Sequence, residues 1–216
     1  MMDNPKLALH KLGDLPFSDV PLRDLGQPAL ERANSFADAK DRNVFLAGRL
    51  ALQHFAASLL DVDPTRLVPD YCCPRCGPGQ DHGRPGFMLD GGPAPLAVSA
   101  SRASGWVLLA GVVHPAEGIR LGADLEAISG IGFDGFDGVA LTAAEKVFLV
   151  SIPAQDQARR RARLWARKEA WLKMTGEGLR RNPAELDVVD RPGLQDVNIV
   201  SNRDLPEGLV AALALG

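Results

Sequence analysis

One order of elements occurs twice in this chain and limits the folds open to it: a long helical pattern accompanied by short strands. From Asp38 to Leu60, Phe45, Leu52, Phe55 and Leu59 fall at near-helical spacing, and Pro64 lies beyond the end. Leu96 to Ser99 and Trp106 to Val113 then read as adjacent strands separated by Ala100 to Gly105. Arg120 to Glu126 reads as a further strand, followed by a glycine-rich connection from Gly130 to Gly138. Thr142-Ala143-Ala144-Glu145 has capping-box spacing and should start a helix through Val150. Gln155 to Thr175 is a second long helix, stopped by Gly176-Glu177-Gly178. Leu186 to Val189, Asn198 to Ser201 and Leu209 to Leu215 read as closing strands. A faint internal echo accompanies this order. Phe45 to Leu52 can be laid on Leu164 to Trp171, with alanines coinciding at two places and Arg49 falling on Lys168. The expected fold class is α+β, with two pseudo-symmetric subdomains, each a small sheet packed by a long helix. They cover residues 1–115 and 116–216.

The remaining segments are rich in turns. The first forty residues are mixed, with turn signals at Pro16, Pro21 and Pro28. Asp63 to Pro95 is loop-rich, with seven prolines and six glycines. At 46% hydrophobic and 24% charged, the chain has ample material for a packed core. The net charge of −3 argues against a nucleic-acid binder. No run approaches the roughly 18 apolar residues of a membrane helix. Met1 to Lys11 lacks the pattern of a secretory signal. Three clustered cysteines do not make a disulfide framework, so a reducing cytoplasm is expected.

Two short acidic segments carry the chemistry. In Gly122-Ala123-Asp124-Leu125-Glu126, strand alternation puts Asp124 and Glu126 on one face, with Leu121, Ala123 and Leu125 on the other. In Trp165-Ala166-Arg167-Lys168-Glu169-Ala170-Trp171-Leu172-Lys173, Glu169 and Lys173 are i,i+4 neighbours on a helix. Three carboxylates from two elements, with lysines beside them, can hold a hard divalent cation and a polyphosphate together. Mg²⁺ sites in phosphate chemistry combine one or two carboxylates with phosphate oxygens and water.

The pair G-A-D-L-E and W-x-x-K-E-A-x-x-K resembles the signature of the 4′-phosphopantetheinyl transferases. Length and spacing look like the monomeric, two-subdomain type similar to the surfactin-synthetase activating enzyme. Further blocks follow in family order. Arg42 to Arg49 resembles the N-terminal basic helix, and His82-Gly83-Arg84-Pro85 the H-G-(K/R)-P segment. Val98 to Arg102 resembles S-x-S-H, and Leu141 to Glu145 resembles F-(T/S)-x-x-E. The resemblance implies transfer of the 4′-phosphopantetheine arm of coenzyme A to a serine of an apo acyl or peptidyl carrier protein. The products would be holo carrier and 3′,5′-ADP, and the reaction would depend on Mg²⁺. It also implies an active site in the cleft between the two subdomains.

Residue roles follow from the same resemblance. Asp124, Glu126 and Glu169 are expected as metal ligands, with Glu169 also taking the serine proton directly or through water. Lys173 and Lys168 are expected phosphate contacts, with Lys173 placed to stabilise the leaving ADP oxyanion. Ser101 and Arg102 occupy the Ser-His position. Arg102 departs from the usual histidine, but a guanidinium can still bind a phosphate and stack on a base. Arg42 and Arg49 are expected at the nucleotide 3′-phosphate, although Val44 stands where the family often has another basic residue. Gly83, Arg84 and Pro85 are expected to line the adenine site.

The other features have blander readings beside the functional one. Cys72, Cys73, Cys76 and His82 could supply zinc ligands. Adjacent cysteines rarely both bind one tetrahedral ion, so reduced cysteines in a loop are the favoured reading. Arg159-Arg160-Arg161-Ala162-Arg163 is either a docking face for an acidic carrier protein or a solvated helix face. Glu145 is expected as a helix cap. Two rivals to the transferase reading are a coenzyme-A-binding protein without activity and a zinc-stabilised interaction module.

Overall fold

Backbone contacts divide the chain into two units: residues 1–100 with 105–118, and residues 101–104 with 119–216. The computed structural model describes residues 4–15, 22–73 and 75–216. Pro16, Pro21 and Pro74 lie outside them.

The first unit runs β1 (Lys6–Lys11), α1 (Gln27–Asn34), α2 (Ala39–Leu60), β2 (Leu67–Pro69), β3 (Tyr71–Cys73), β4 (Gly77–Gln80), β5 (Phe87–Leu89), β6 (Gly92–Pro93), β7 (Leu96–Ala103, whose last three residues count with the second unit) and β8 (Trp106–Val113). Helix α2 starts where the Asp38 carboxylate accepts from the Lys40 and Asp41 backbone N–H groups at 2.6 and 3.3 Å. It ends at Asp61, which takes a left-handed backbone conformation. Strand β1 runs antiparallel to β8, in the sheet order β1-β8-β7. Leu52, Phe55 and Ala56 of α2 join Val107 and Leu109 of β8 in the core of this unit. Each large apolar side chain so buried contributes about 1.5–3 kcal/mol before conformational entropy is counted.

Three details of this unit differ from expectation. Strand β1 and helix α1 form in the stretch read as mixed. Pro28 falls in the first turn of α1 rather than in a turn between elements, because a missing N–H costs nothing there. Strand β7 continues to Ala103, so Ser101 and Arg102 stand on a strand and the turn shrinks to Ser104-Gly105.

The second unit contains β9 (Leu121–Ala127), α3 (Phe136–Ala140), α4 (Ala143–Val150), α5 (Ala154–Thr175), β10 (Leu194–Val197), β11 (Ile199–Val200), β12 (Arg203–Asp204) and β13 (Leu209–Leu215). Its main sheet is antiparallel in the order β10-β13-β9, with Asp124 opposite Ala212 and Glu126 opposite Val210. Helix α5 has two buried stripes. Ala162, Ala166, Ala170 and Met174 pack with Val210, Ala212 and Ala214 of β13. Leu164 and Leu172 pack with Phe136, Leu141, Leu149, Leu186 and Val188. The small stripe lets the helix sit low on the sheet. Gly122 makes the same approach possible from β9, since a Cβ there would lie 2.0 Å from the Ala170 carbonyl oxygen. The glycine of G-A-D-L-E is therefore a packing requirement.

The capping box at Thr142 forms as expected, with the Glu145 carboxylate accepting from the Thr142 backbone N–H at 2.8 Å. Leu186 to Val189 is not a strand. Side chains take its backbone groups: Lys168 donates to the Leu186 carbonyl, Arg167 to those of Val188 and Val189, and Glu145 accepts from the Val188 N–H. Among the described residues, no helix is long and apolar enough to cross a membrane.

Candidate functional site

Asp124 lies on the face of β9 that α5 covers, and it is only 2% exposed. Lys173, in the last turn of α5, places Nζ 2.6 Å from Asp124 Oδ1 and 3.3 Å from the Ala123 carbonyl oxygen. Ser101, from the 101–104 segment of the same unit, completes a triangle. Its hydroxyl donates to Asp124 Oδ1 at 2.7 Å and accepts from Lys173 Nζ at 3.0 Å. Asp124 Oδ2 is buried with no hydrogen-bond partner. Such an orphan is costly, and it marks a place where a further positive or donating group would be stabilising.

Glu126 and Glu169 stand half-buried beside this triangle. Burial pushes the Glu126 carboxyl up to about 7, and the neighbouring Asp124 and Glu169 charges push the same way. The Trp165 side chain hydrogen-bonds Glu126 and partly offsets this. Burial also raises Glu169, with Asp124 adding to it and Lys173 opposing. Asp124 is raised by its own burial against the pull of Lys173 and Ser101. Burial is thus the first cause of all three shifts; neighbouring carboxylates add to it at Glu126 and Glu169, and one Asp124 oxygen is unpartnered. Trp165 was not singled out as a site residue, and its place in the W-x-x-K-E spacing was the available signal.

Lys168 is corrected from its expected role as a phosphate contact. Its ammonium is 0% exposed and pairs with Glu145 Oε2 at 2.7 Å. It also donates to the Pro183 carbonyl at 2.8 Å and to the Leu186 carbonyl. Three acceptors use its three protons, so none is left for a ligand. On a helix, Lys168 and Glu169 point about 100° apart. The lysine faces the α4 side, and the glutamate lies beside Asp124.

The expected nucleotide contacts of the first unit have separate environments. Arg42 is exposed in the opening turn of α2. Arg49 donates to the Asp81 carbonyl, and its guanidinium lies 3.8 Å from the Tyr71 ring centroid and 5.1 Å from that of Phe45. Gly83 adopts φ +99°, and a Cβ there would lie 2.4 Å from the Cys72 carbonyl oxygen. Its glycine character is thus set by close packing on β3. Arg84 exchanges backbone hydrogen bonds with Cys72 at 2.9 and 3.0 Å, and Pro85 follows it half-buried. Asp81 was not singled out, yet it meets Arg49, Arg32 and His82.

In the second unit, Arg102 is exposed. The Arg159–Arg163 run is not one open basic face. Arg161 binds the Asp137 carboxylate through two hydrogen bonds, and Arg163 donates to Asn198 at 2.7 Å. Arg160 lies over the Phe148 ring, and Arg159 is exposed.

Residues 120–206 match the family model described as the 4′-phosphopantetheinyl transferase superfamily. The match takes in β9, both acidic segments, the capping box and α5. It supports phosphopantetheinyl transfer as the general activity of this domain. No curated protein matches the chain.

Proposed function

We propose that this chain, which carries a 4′-phosphopantetheinyl transferase superfamily domain at residues 120–206, transfers the 4′-phosphopantetheine arm of coenzyme A to a carrier-protein serine. The observation that carries the reading is the Ser101–Asp124–Lys173 triangle, with Asp124 Oδ2 orphaned and Glu126 and Glu169 beside it. Asp124, Glu126 and Glu169 would hold Mg²⁺. The ion would neutralise pyrophosphate charge before an oxygen nucleophile approaches.

The chain's own groups serve the rest of the reaction. The carrier serine Oγ attacks the β-phosphorus of coenzyme A, forming a new P–O bond. The bond from that phosphorus to the bridging oxygen breaks, and 3′,5′-ADP leaves with the electron pair. Glu169 takes the serine proton, directly or through water. Its raised affinity for protons suits a base working near neutral pH. Lys173 meets the charge that grows on the departing phosphate oxygen, exchanging its bond to Asp124 for one to the ligand. Arg102, exposed in the same unit, would meet a phosphate of the nucleotide through its guanidinium.

The test is incubation with coenzyme A, Mg²⁺ and apo carrier proteins of fatty-acid, polyketide and peptide type, followed by intact-mass measurement. The expected result is a gain of one phosphopantetheine on at least one carrier. No gain on any of them would overturn the reading.

A further inference from the structure

Among the described residues, one group of three metal-ligating side chains brings its donor atoms within 4.8 Å of one another: Cys73, Cys76 and His82. All three lie in the first unit. Strands β3 and β4 pair antiparallel, with Tyr71 opposite Gln80 and Cys73 opposite Gly77. The Cys-x-x-Cys spacing therefore closes the turn of a hairpin. Within the turn, the backbone N–H groups of Arg75 and Cys76 donate to the Cys73 sulfur. Such donors stabilise negative charge on sulfur, and the thiolate is the form that binds metal.

His82 follows β4 and returns to Cys73, with which its side chain hydrogen-bonds. Its Nδ1 lies 3.1 Å from Asp81 Oδ1. One ring nitrogen is thus oriented by a carboxylate, leaving Nε2 for the sulfurs. Histidines that bind metal characteristically have this second contact, which sets tautomer and ring angle. Asp81 is itself held, with Oδ2 3.2 Å from Arg32 Nε and its carbonyl accepting from Arg49. Cys72 does not join the group. Neighbouring strand residues point to opposite faces, so Cys72 and Cys73 diverge.

We propose that Cys73, Cys76 and His82 bind one Zn²⁺ and clip the β3–β4 hairpin shut. Two thiolates and an imidazole are the soft and borderline donors that select zinc over Mg²⁺. The fourth tetrahedral position goes to a water molecule. The hairpin needs such a clip because it has little core of its own. Cys72, Arg75 and Cys76 are exposed, and among the described side chains of β3 and β4 only Tyr71 belongs to the core cluster. A metal that binds only the folded hairpin adds its binding free energy to folding. This zinc is chemically distinct from the Mg²⁺ of the transfer reading and uses residues of the first unit alone, so the two stand or fall independently.

The test uses the full chain, purified under reducing conditions, with metal content measured by mass spectrometry. About one zinc per chain is expected. Replacing zinc by Co²⁺ should give the thiolate-to-cobalt charge-transfer band and the intense visible bands of a tetrahedral site. Cys76→Ser and His82→Ala should each lose the metal. Asp81→Asn should keep the ligands but lower zinc affinity about 10–100-fold in competition with a chelator. The proposal is overturned if the reduced wild-type chain carries no zinc and shows no charge-transfer band on titration with Co²⁺. It is also overturned if Cys73 and Cys76 are found joined as a disulfide. Both readouts use the wild-type chain, so neither depends on a variant folding.

Discussion

Lys168 and Glu145 meet 2.7 Å apart, with neither side chain exposed to solvent. Around them, the Thr142 and Val188 N–H groups satisfy the carboxylate, and two carbonyls satisfy the ammonium. Burial lowers the lysine's proton affinity, and the adjacent Glu145 restores part of it. The pair ties the start of α4, the middle of α5 and the irregular 183–188 segment into one polar core. The K of W-x-x-K-E is in this way a builder of the second unit.

Removing one partner leaves the other as an uncompensated buried charge. Lys168→Met should therefore destabilise the fold by about 3–5 kcal/mol. Urea unfolding measures the loss. Any variant that remains folded should keep a near-normal KM for coenzyme A. A large rise in KM with little loss of stability would return Lys168 to the ligand site.

Gly122→Ala tests how low α5 must sit on β9. The added Cβ would meet the Ala170 carbonyl at 2.0 Å and the Met174 N–H nitrogen at 2.6 Å, both backbone atoms of the helix. The helix must lift, at a cost of about 1–3 kcal/mol. Lifting also separates Glu169 and Lys173 from Asp124, so transfer should fall by more than the lost stability explains. Turnover and thermal unfolding, measured on the same preparation, separate the two effects.

Glu169→Gln keeps the shape of the side chain and removes its charge and basicity. Transfer should drop about 10²–10⁴-fold. Relief of carboxylate crowding should leave the melting temperature unchanged or raised. Near-normal turnover would show that the serine proton goes elsewhere.

The acidic cluster should make stability pH-dependent in Mg²⁺-free buffer. Glu126 rises from 4.5 to about 7 in the folded chain, while Asp124 and Glu169 are also raised. Between those two values the folded state binds more protons than the unfolded one. Stability therefore falls as pH rises through that window, and the stabilisation is fully present only below it. Thermal melts at a series of pH values should show this slope, and Glu126→Gln should flatten it. Added Mg²⁺ should stabilise more above the window than below it, because the ligands must be deprotonated to bind.

Much of the second unit was readable without coordinates. The Asp124/Glu126 alternation, the Thr142 capping box and the span of α5 depend on neighbours one turn or two residues away, and local periodicity records such relations. Leu186–Val189 misled because its apolar alternation is that of a strand. Its backbone partners are Lys168, Arg167 and Glu145, which no local pattern announces. Ser101 lies in a run, Ala100 to Gly105, whose small and polar residues have the composition of a turn although β7 continues to Ala103. On the strand, it reaches Asp124 and Lys173.

Residue types at short spacing carry a chemical preference: hard carboxylates and lysines suit a metal-bound phosphate, and soft sulfurs near a histidine suit zinc. Which lysine is spent on the fold and which is left for the site was settled by packing. Lys168 and Lys173 lie on one helix, yet the first is swallowed by α4 and the 183–188 segment while the second keeps 32% of its side chain in solvent. Burial and partner are properties of segments distant in the chain, and a helix pattern cannot say what will be laid against each of its faces.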